Sequence, residues 1–190
     1  FKYHFVSSVN TGLPSGLDLD GNGKTTDPGD AYGFGRYPGQ YGMVVLSQFP
    51  ISADTKTFQN FLWKDMPQAM LPQKVKPSDT LESYYSSDIL DKFRLSSKSH
   101  WDLTVETPNR DIHFLVSHPT PPVFDGPEDK NGCRNHDEIR FWADYISDNK
   151  SQYIYDDKGR RGGLTNSQSF VIAGDMNADP TDGDTTDDAI

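Results

Sequence analysis

The residues best suited to chemistry stand at the ends of two apolar runs. His118 follows Phe114-Leu115-Val116-Ser117, while Asp175 and Asn177 follow Phe170-Val171-Ile172-Ala173-Gly174. A carboxylate binds a hard divalent cation or holds an attacking water, and a histidine donates to a phosphoryl oxygen. Along an extended chain, an amide two residues beyond the carboxylate points the same way. If the two runs are neighbouring strands of one sheet, the three side chains gather at one edge and describe a metal-assisted phosphoester site. Singly, each has a plainer reading: a lone histidine is commonly a surface or hydrogen-bonded residue, and Asp-x-Asn is ordinary turn chemistry. Only the combination carries the expectation.

A second constellation is Asp18-Leu19-Asp20-Gly21-Asn22-Gly23-Lys24. Asp18, Asp20 and Asn22 place oxygen ligands at the first, third and fifth positions of a Ca²⁺ loop, Gly23 takes the sharp turn, and the Lys24 carbonyl serves as the next ligand. The twelfth position is Gly29 rather than Glu, so Asp27 or Asp30 has to complete the shell. A bound ion would be structural, stabilising a glycine-rich loop by linkage. The alternative is an Asp/Asn/Gly-rich turn. Phe34, Tyr37, Tyr41, Phe58, Phe61, Trp63 and Trp101 either line a substrate pocket or, as expected for most of them, pack beneath long loops. Asp179, Asp182 and Asp184 read as solvated tail charge.

The elements that must position these groups follow from pattern. Residues 1–42 are rich in glycine and show no sustained period, which predicts a long loop. Met43–Ser47 is a compact apolar run that suits a strand buried on both faces. Residues 51–82 mix aromatics with Pro67, Pro72 and Pro77, predicting an excursion with at most one short helical turn. Ser87–Phe93 reads as a short helix capped by Ser87. His100–Glu106 and Asp111–Ser117 flank Thr107-Pro108-Asn109-Arg110 and predict an antiparallel hairpin. From Asn135, read as a cap with Glu138 completing a capping box, Ile139, Trp142, Ala143 and Ile146 recur at helical spacing. A last strand spans Ser169–Ala173.

At 190 residues the chain suits one domain over 1–190. Lys and Arg number 18 against 28 Asp and Glu, giving a formal charge of -10 and a pI near 4.8, which argues against a surface that coats polyanions. Apolar residues are only 34%, yet 3 Trp, 9 Tyr and 11 Phe provide bulk for a core. Cys133 is the single cysteine, so an internal disulfide and a cysteine-rich zinc site are excluded. The apolar runs are far too short to span a bilayer. The chain opens on Phe-Lys-Tyr, which suggests a removed leader or a piece of something longer.

The motifs also carry a resemblance. Strand-Gly-Asp-x-Asn-Ala-Asp-Pro, preceded by strand-Ser-His-Pro-Thr-Pro-Pro and by Arg-Asn-His-Asp-Glu-Ile-Arg-Phe-Trp, resembles the endonuclease/exonuclease/phosphatase superfamily, that of pancreatic deoxyribonuclease. Gly-Phe-Gly-Arg-Tyr-Pro-Gly-Gln-Tyr-Gly-Met-Val-Val-Leu-Ser resembles a bacterial, usually secreted branch of it. The resemblance implies an α+β fold, a four-layer sandwich of two packed mixed sheets with outer helices. It also implies Mg²⁺- or Mn²⁺-dependent cleavage of a small phosphoester, a nucleotide or a nucleic acid, and a secreted or periplasmic location. Residue by residue, His118 matches a histidine that contacts the scissile phosphate, and Asp175 the carboxylate that orients or deprotonates water. Asn177 matches an amide that holds a phosphate oxygen or, with Asp175, the metal. Lys98 and Arg134 match basic phosphate contacts, against the plainer reading of solvated surface charges. The family's early metal-binding Glu and closing Ser-Asp-His motif find no match, so the chain resembles the middle of such a domain. A rival expectation is therefore a non-catalytic, calcium-stabilised binding module or inactive fragment.

Overall fold

In the computed structural model, which describes residues 1–183, 185–187 and 189, the strands β1 (Tyr3–Phe5), β2 (Val45–Ser47), β3 (Lys56–Thr57), β4 (Gln73–Val75) and β5 (Leu81–Ser83) come first. There follow helix α1 (Ser87–Leu90), strands β6 (His100–Glu106) and β7 (Asp111–Ser117), helix α2 (Lys130–Tyr145) and strand β8 (Ser169–Ala173). The architecture is α+β, with several sheets and few helices. The main sheet has the order β3-β6-β7-β8, while β1-β2 and β4-β5 form two-stranded ribbons. Asp184 lies outside the described residues.

The hairpin and the last strand coincide with the runs read from the sequence. β6 and β7 pair antiparallel from His100 opposite Ser117 to Glu106 opposite Asp111. β8 adds to β7 in parallel, from Ile112 beside Ser169 to Val116 beside Ala173. Parallel pairing brings the carboxyl ends of β7 and β8 to the same edge, and antiparallel pairing brings the start of β6 there too. Such an edge is where open sheets commonly place ligands.

Period-two alternation gives the hairpin two faces. Trp101, Leu103 and Val116 face one way, onto Val9 and Val45. On the other face, Leu115 shares a larger cluster with Phe141, Trp142 and Tyr145 of α2 and with Phe58, Phe61, Trp63 and Leu95. Most of these rings meet edge to face, Phe58 and Phe141 at 5.1 Å, while Phe141 and Tyr145 stack at 6.2 Å, both arrangements that their quadrupoles allow. Truncating one such ring, as in Phe141→Ala, costs about 3–5 kcal/mol.

The structure corrects several expectations. The strand read at Met43–Ser47 is shorter, pairs only with β1 and is not buried on both faces: Leu46 is 52% exposed. β1 itself interrupts the loop expected over 1–42, because three residues carry too little periodicity to be seen. The 51–82 excursion holds one short 3-10 turn, Trp63–Asp65, but also β3, β4 and β5. The cap of α1 is Ser86, whose hydroxyl accepts from the Ile89 amide, rather than Ser87. Asn135 does not cap α2. The helix starts five residues earlier, and Asn135 and Glu138 are buried within it. Its inward face centres on Phe141, Trp142 and Tyr145, while Ala143 is exposed.

Candidate functional site

The site forms where β7 and β8 end. β7 passes directly into His118, and β8 reaches Asp175 through Gly174, whose φ is +149°. A Cβ on Gly174 would lie 1.8 Å from the Ser117 carbonyl oxygen, so this strand end closes on its neighbour only without a side chain. His118 Nε2 and Asp175 Oδ2 stand 3.8 Å apart. The Asp175 side chain is 67% exposed, and its Oδ1 accepts from the Asn177 amide at 3.1 Å. Asn177 takes a left-handed φ of +50°, which asparagine tolerates in such Asx turns. Its Nδ2 donates to the Pro119 carbonyl at 3.1 Å.

Lys98 enters from the loop before β6. It is 5% exposed, and its Nζ donates to the same Pro119 carbonyl at 3.2 Å. Burial pulls its ammonium down to about 8, partly opposed by the carboxylates of Glu138 and Asp175. His118 is also held below the usual histidine range, by burial first and by the Lys98 charge second. The imidazole is therefore neutral near pH 7, with one nitrogen free to accept a proton and the other to donate.

Behind this edge lies a polar layer that the sequence reading missed. Glu138 is 1% exposed; one carboxylate oxygen accepts from the Ser97 amide and the other from the Thr120 amide, each at 2.6 Å. Asn135, fully buried, donates from Nδ2 to the carbonyls of Thr120 at 2.7 Å and Met176 at 3.0 Å. Their spacing of three places both on one helix face, the same spacing that makes a capping box.

The sequence-read groups fare differently. His118, Asp175, Asn177 and Lys98 come together. Arg134 does not join them as a phosphate contact: it is 7% exposed and donates to the carbonyls of Leu95 at 2.8 Å, Tyr32 at 2.6 Å and Arg94 at 3.0 Å. Its guanidinium lies 4.6 Å from the Phe93 ring centroid, so it staples loops. The aromatic set divides. Phe58, Phe61, Trp63 and Trp101 are buried, and Phe34, Tyr37 and Tyr41 are exposed.

The acidic loop is a separate place in the molecule. Carboxylate oxygens of Asp18, Asp20 and Asp30 lie within 4.8 Å of one another. Asp18 Oδ2 accepts from the Gly23 amide and Asp20 Oδ1 from the Asn22 amide, while Asp18 Oδ1 is buried without a hydrogen-bond partner among the described residues. Asp30, 1% exposed, accepts from Leu19 and Asp27. The Asn22 side chain turns toward Asp20 and Asp27 through Nδ2, and its Oδ1 accepts from the Lys24 amide.

An α+β chain that gathers a histidine, a carboxylate, an amide and a buried lysine at the carboxyl ends of parallel strands has the makings of a hydrolytic site. The family follows from the whole chain: the model of the endonuclease/exonuclease/phosphatase family matches residues 6–190, and the protein belongs to that family. Phosphoester hydrolysis is the activity this membership suggests. No curated protein and no solved structure matched the chain.

Proposed function

We propose that the protein is a divalent-metal-dependent phosphoesterase whose machinery includes His118, Asp175 and Asn177. The observation that carries the reading is the parallel pairing of β7 with β8, which sets His118 beside Asp175, 57 positions further along the chain, rather than by accident of a local turn. Asp175 presents an exposed carboxylate able to orient and deprotonate a water for in-line attack on phosphorus. His118, neutral and half buried, faces the same opening and donates to a phosphoryl or leaving-group oxygen. Lys98 places a positive charge behind them, lowering the cost of a phosphate dianion or monoanion at this edge.

The donor set fits a hard cation. Among the described residues, Asp175 leaves Oδ2 free of any N–H donor closer than the His118 ring, and Asn177 directs its Nδ2 inward, leaving its oxygen for other use. Mg²⁺ or Mn²⁺ would be held by these oxygens. When bound, such an ion supplies positive charge at the phosphoryl oxygens. The Asp18, Asp20 and Asp30 carboxylates, gathered within 4.8 Å of one another with the Asn22 side chain against Asp20, support a structural Ca²⁺ in the long loop.

A formal charge of -10 supports a small phosphoester or a nucleotide over duplex nucleic acid, whose binding relies on Lys and Arg neutralising phosphates. Family membership supports the four-layer sandwich, in which the main sheet and α2 would be two of the layers. The resemblance to a secreted branch supports a secreted or periplasmic location.

Hydrolysis of an aryl phosphodiester and the matching monoester, with Mg²⁺ or with EDTA, tests the reading. Metal-dependent turnover that Asp175→Ala abolishes is the expected result, and the preferred ester assigns the substrate class. A folded protein without turnover on either ester leaves the calcium-stabilised binding module in its place.

A further inference from the structure

The three loops that carry the site are tied to one another by two side chains of α2 that touch no solvent. Glu138 binds the amide of Ser97, next to Lys98, and the amide of Thr120, two residues after His118. Asn135 binds the carbonyl of Thr120 and the carbonyl of Met176, which lies between Asp175 and Asn177. The Pro119–Thr120 peptide is the point where these ties converge. Its carbonyl accepts from Lys98 and Asn177, and its N–H donates to Glu138. The Ser97 hydroxyl adds a bond to the His118 carbonyl at 3.3 Å. Every strand end at the site thus reaches α2 in one step.

We propose that Glu138 and Asn135 are positioning residues for the phosphoester chemistry, setting His118, Lys98 and Asp175 through the Pro119–Thr120 peptide; this rests on the reading of the site given above. Two features mark the layer as more than packing. A buried carboxylate is expensive unless fully hydrogen bonded, and an apolar helix face would stabilise the contact more simply. The layer also leaves Asn135 Oδ1 and Thr120 Oγ1 buried without partners among the described residues. Polar atoms left without partners in a buried layer call for a reason beyond packing.

Asp137, between these two residues on α2, provides an internal standard. Asp137 is also fully buried, and its Oδ2 accepts from the Trp63 indole and the Met70 amide, each at 2.7 Å. Those donors belong to the 51–82 excursion, not to the strand ends. Asp137 is therefore a purely structural anchor on the same helix.

The test compares Glu138→Gln, Asn135→Ala and Asp137→Asn in the full chain, measuring kcat and KM on the ester the wild type prefers, well below each variant's melting temperature. A glutamine at 138 accepts one amide but faces the other with an N–H donor, so one tie breaks while volume is kept. The expected result is a kcat lower by on the order of 10- to 100-fold for Glu138→Gln, with KM changed less than about threefold, because small misplacements of reacting groups act on the chemical step. Asn135→Ala follows in the same sense. Asp137→Asn lowers the melting temperature and leaves kcat as it was. Amide exchange read by mass spectrometry or NMR, faster at Ser97 and Thr120 in Glu138→Gln than in wild type while the rest of β6 and β7 stays protected, shows that the variant is folded with the tie released. Equal kcat in Glu138→Gln and wild type, or an equal fall in Asp137→Asn, overturns the inference alone. A wild type without metal-dependent turnover overturns the reading of the site, and the inference falls with it.

Discussion

The strand-end site and the acidic loop both gather oxygen atoms, and they do so by opposite means. The loop draws Asp18, Asp20, Asn22, Asp27 and Asp30 together within one short stretch, each carboxylate folding back onto a nearby amide. The strand ends draw Lys98, His118 and Asp175 from three separate elements, and a sheet register and a helix must exist before they meet. A locally assembled cluster that took up an ion would use it to stabilise itself. A globally assembled one can leave its reacting groups exposed, because their positions are fixed from behind.

The largest test of that contrast is removal of one carboxylate from each cluster. Asp175→Ala should lower kcat by on the order of 10³-fold or more, with little change in melting temperature because its side chain is 67% exposed. Asp18→Ala should leave kcat within about twofold, since it makes no contact with the strand ends. A comparable loss of kcat in both variants, measured on the preferred ester, would dissolve the distinction.

Next in size is the opposition between stability and function at Lys98. Its folded pKa, pulled by burial to about 8 from 10.5, means that the unfolded chain binds more protons between those values. Stability gained from this group therefore rises with pH across that window, and below it the folded state carries the full cost of a buried ammonium, on the order of 2–3 kcal/mol. Lys98→Met should be more stable than wild type at pH 7 by about 1–3 kcal/mol, after loss of the bond to Pro119, and slower in turnover. Urea unfolding at pH 7 and pH 10 should show that advantage shrinking as the pH rises. A Met variant weaker at pH 7 would mean the lysine is a stabilising group after all.

Calcium sharpens the comparison from the other side. If the loop holds the ion, Ca²⁺ at about 100 times its dissociation constant should add about 2.7 kcal/mol, or roughly 5–10 °C in melting temperature for a chain of this size. Asp20→Ala should lose that response and keep its esterase activity. An identical shift in Asp20→Ala and wild type would move the ion elsewhere. The smallest expected effect is that of salt: KM for a small phosphodiester should change less than about twofold between 50 and 200 mM, whereas a steep rise would point to a polyanionic substrate.

The same contrast explains what could be read in the sequence. The acidic loop was legible because the hydrogen bonds of its carboxylates are local. The grouping of His118, Asp175 and Asn177 was legible because each lies within four residues of the end of a run with clear strand character. Glu138 and Asn135 were visible as residues and misread in role, since a separation of three serves a capping box and a buried helix face alike. Arg134 pointed to phosphate only while its surroundings were unknown; three backbone carbonyls and the Phe93 ring claim its guanidinium. β1 and β3 are two or three residues long, too short for alternation to register, and tertiary pairing alone creates them.

β8 has a further consequence, in the order in which the molecule comes apart. It is five residues long, pairs with β7 on one side, and leaves Phe170, Val171 and Ile172 each about two-fifths or more exposed. Little apolar surface is recovered when it docks, so its release belongs to the low-energy openings of the native state rather than to global unfolding. α2, the β6–β7 hairpin and the aromatic cluster do not depend on it. Warming or mild denaturant should therefore carry Asp175 and Asn177 away from His118 while the core is still intact, and the protein should fall silent before it melts.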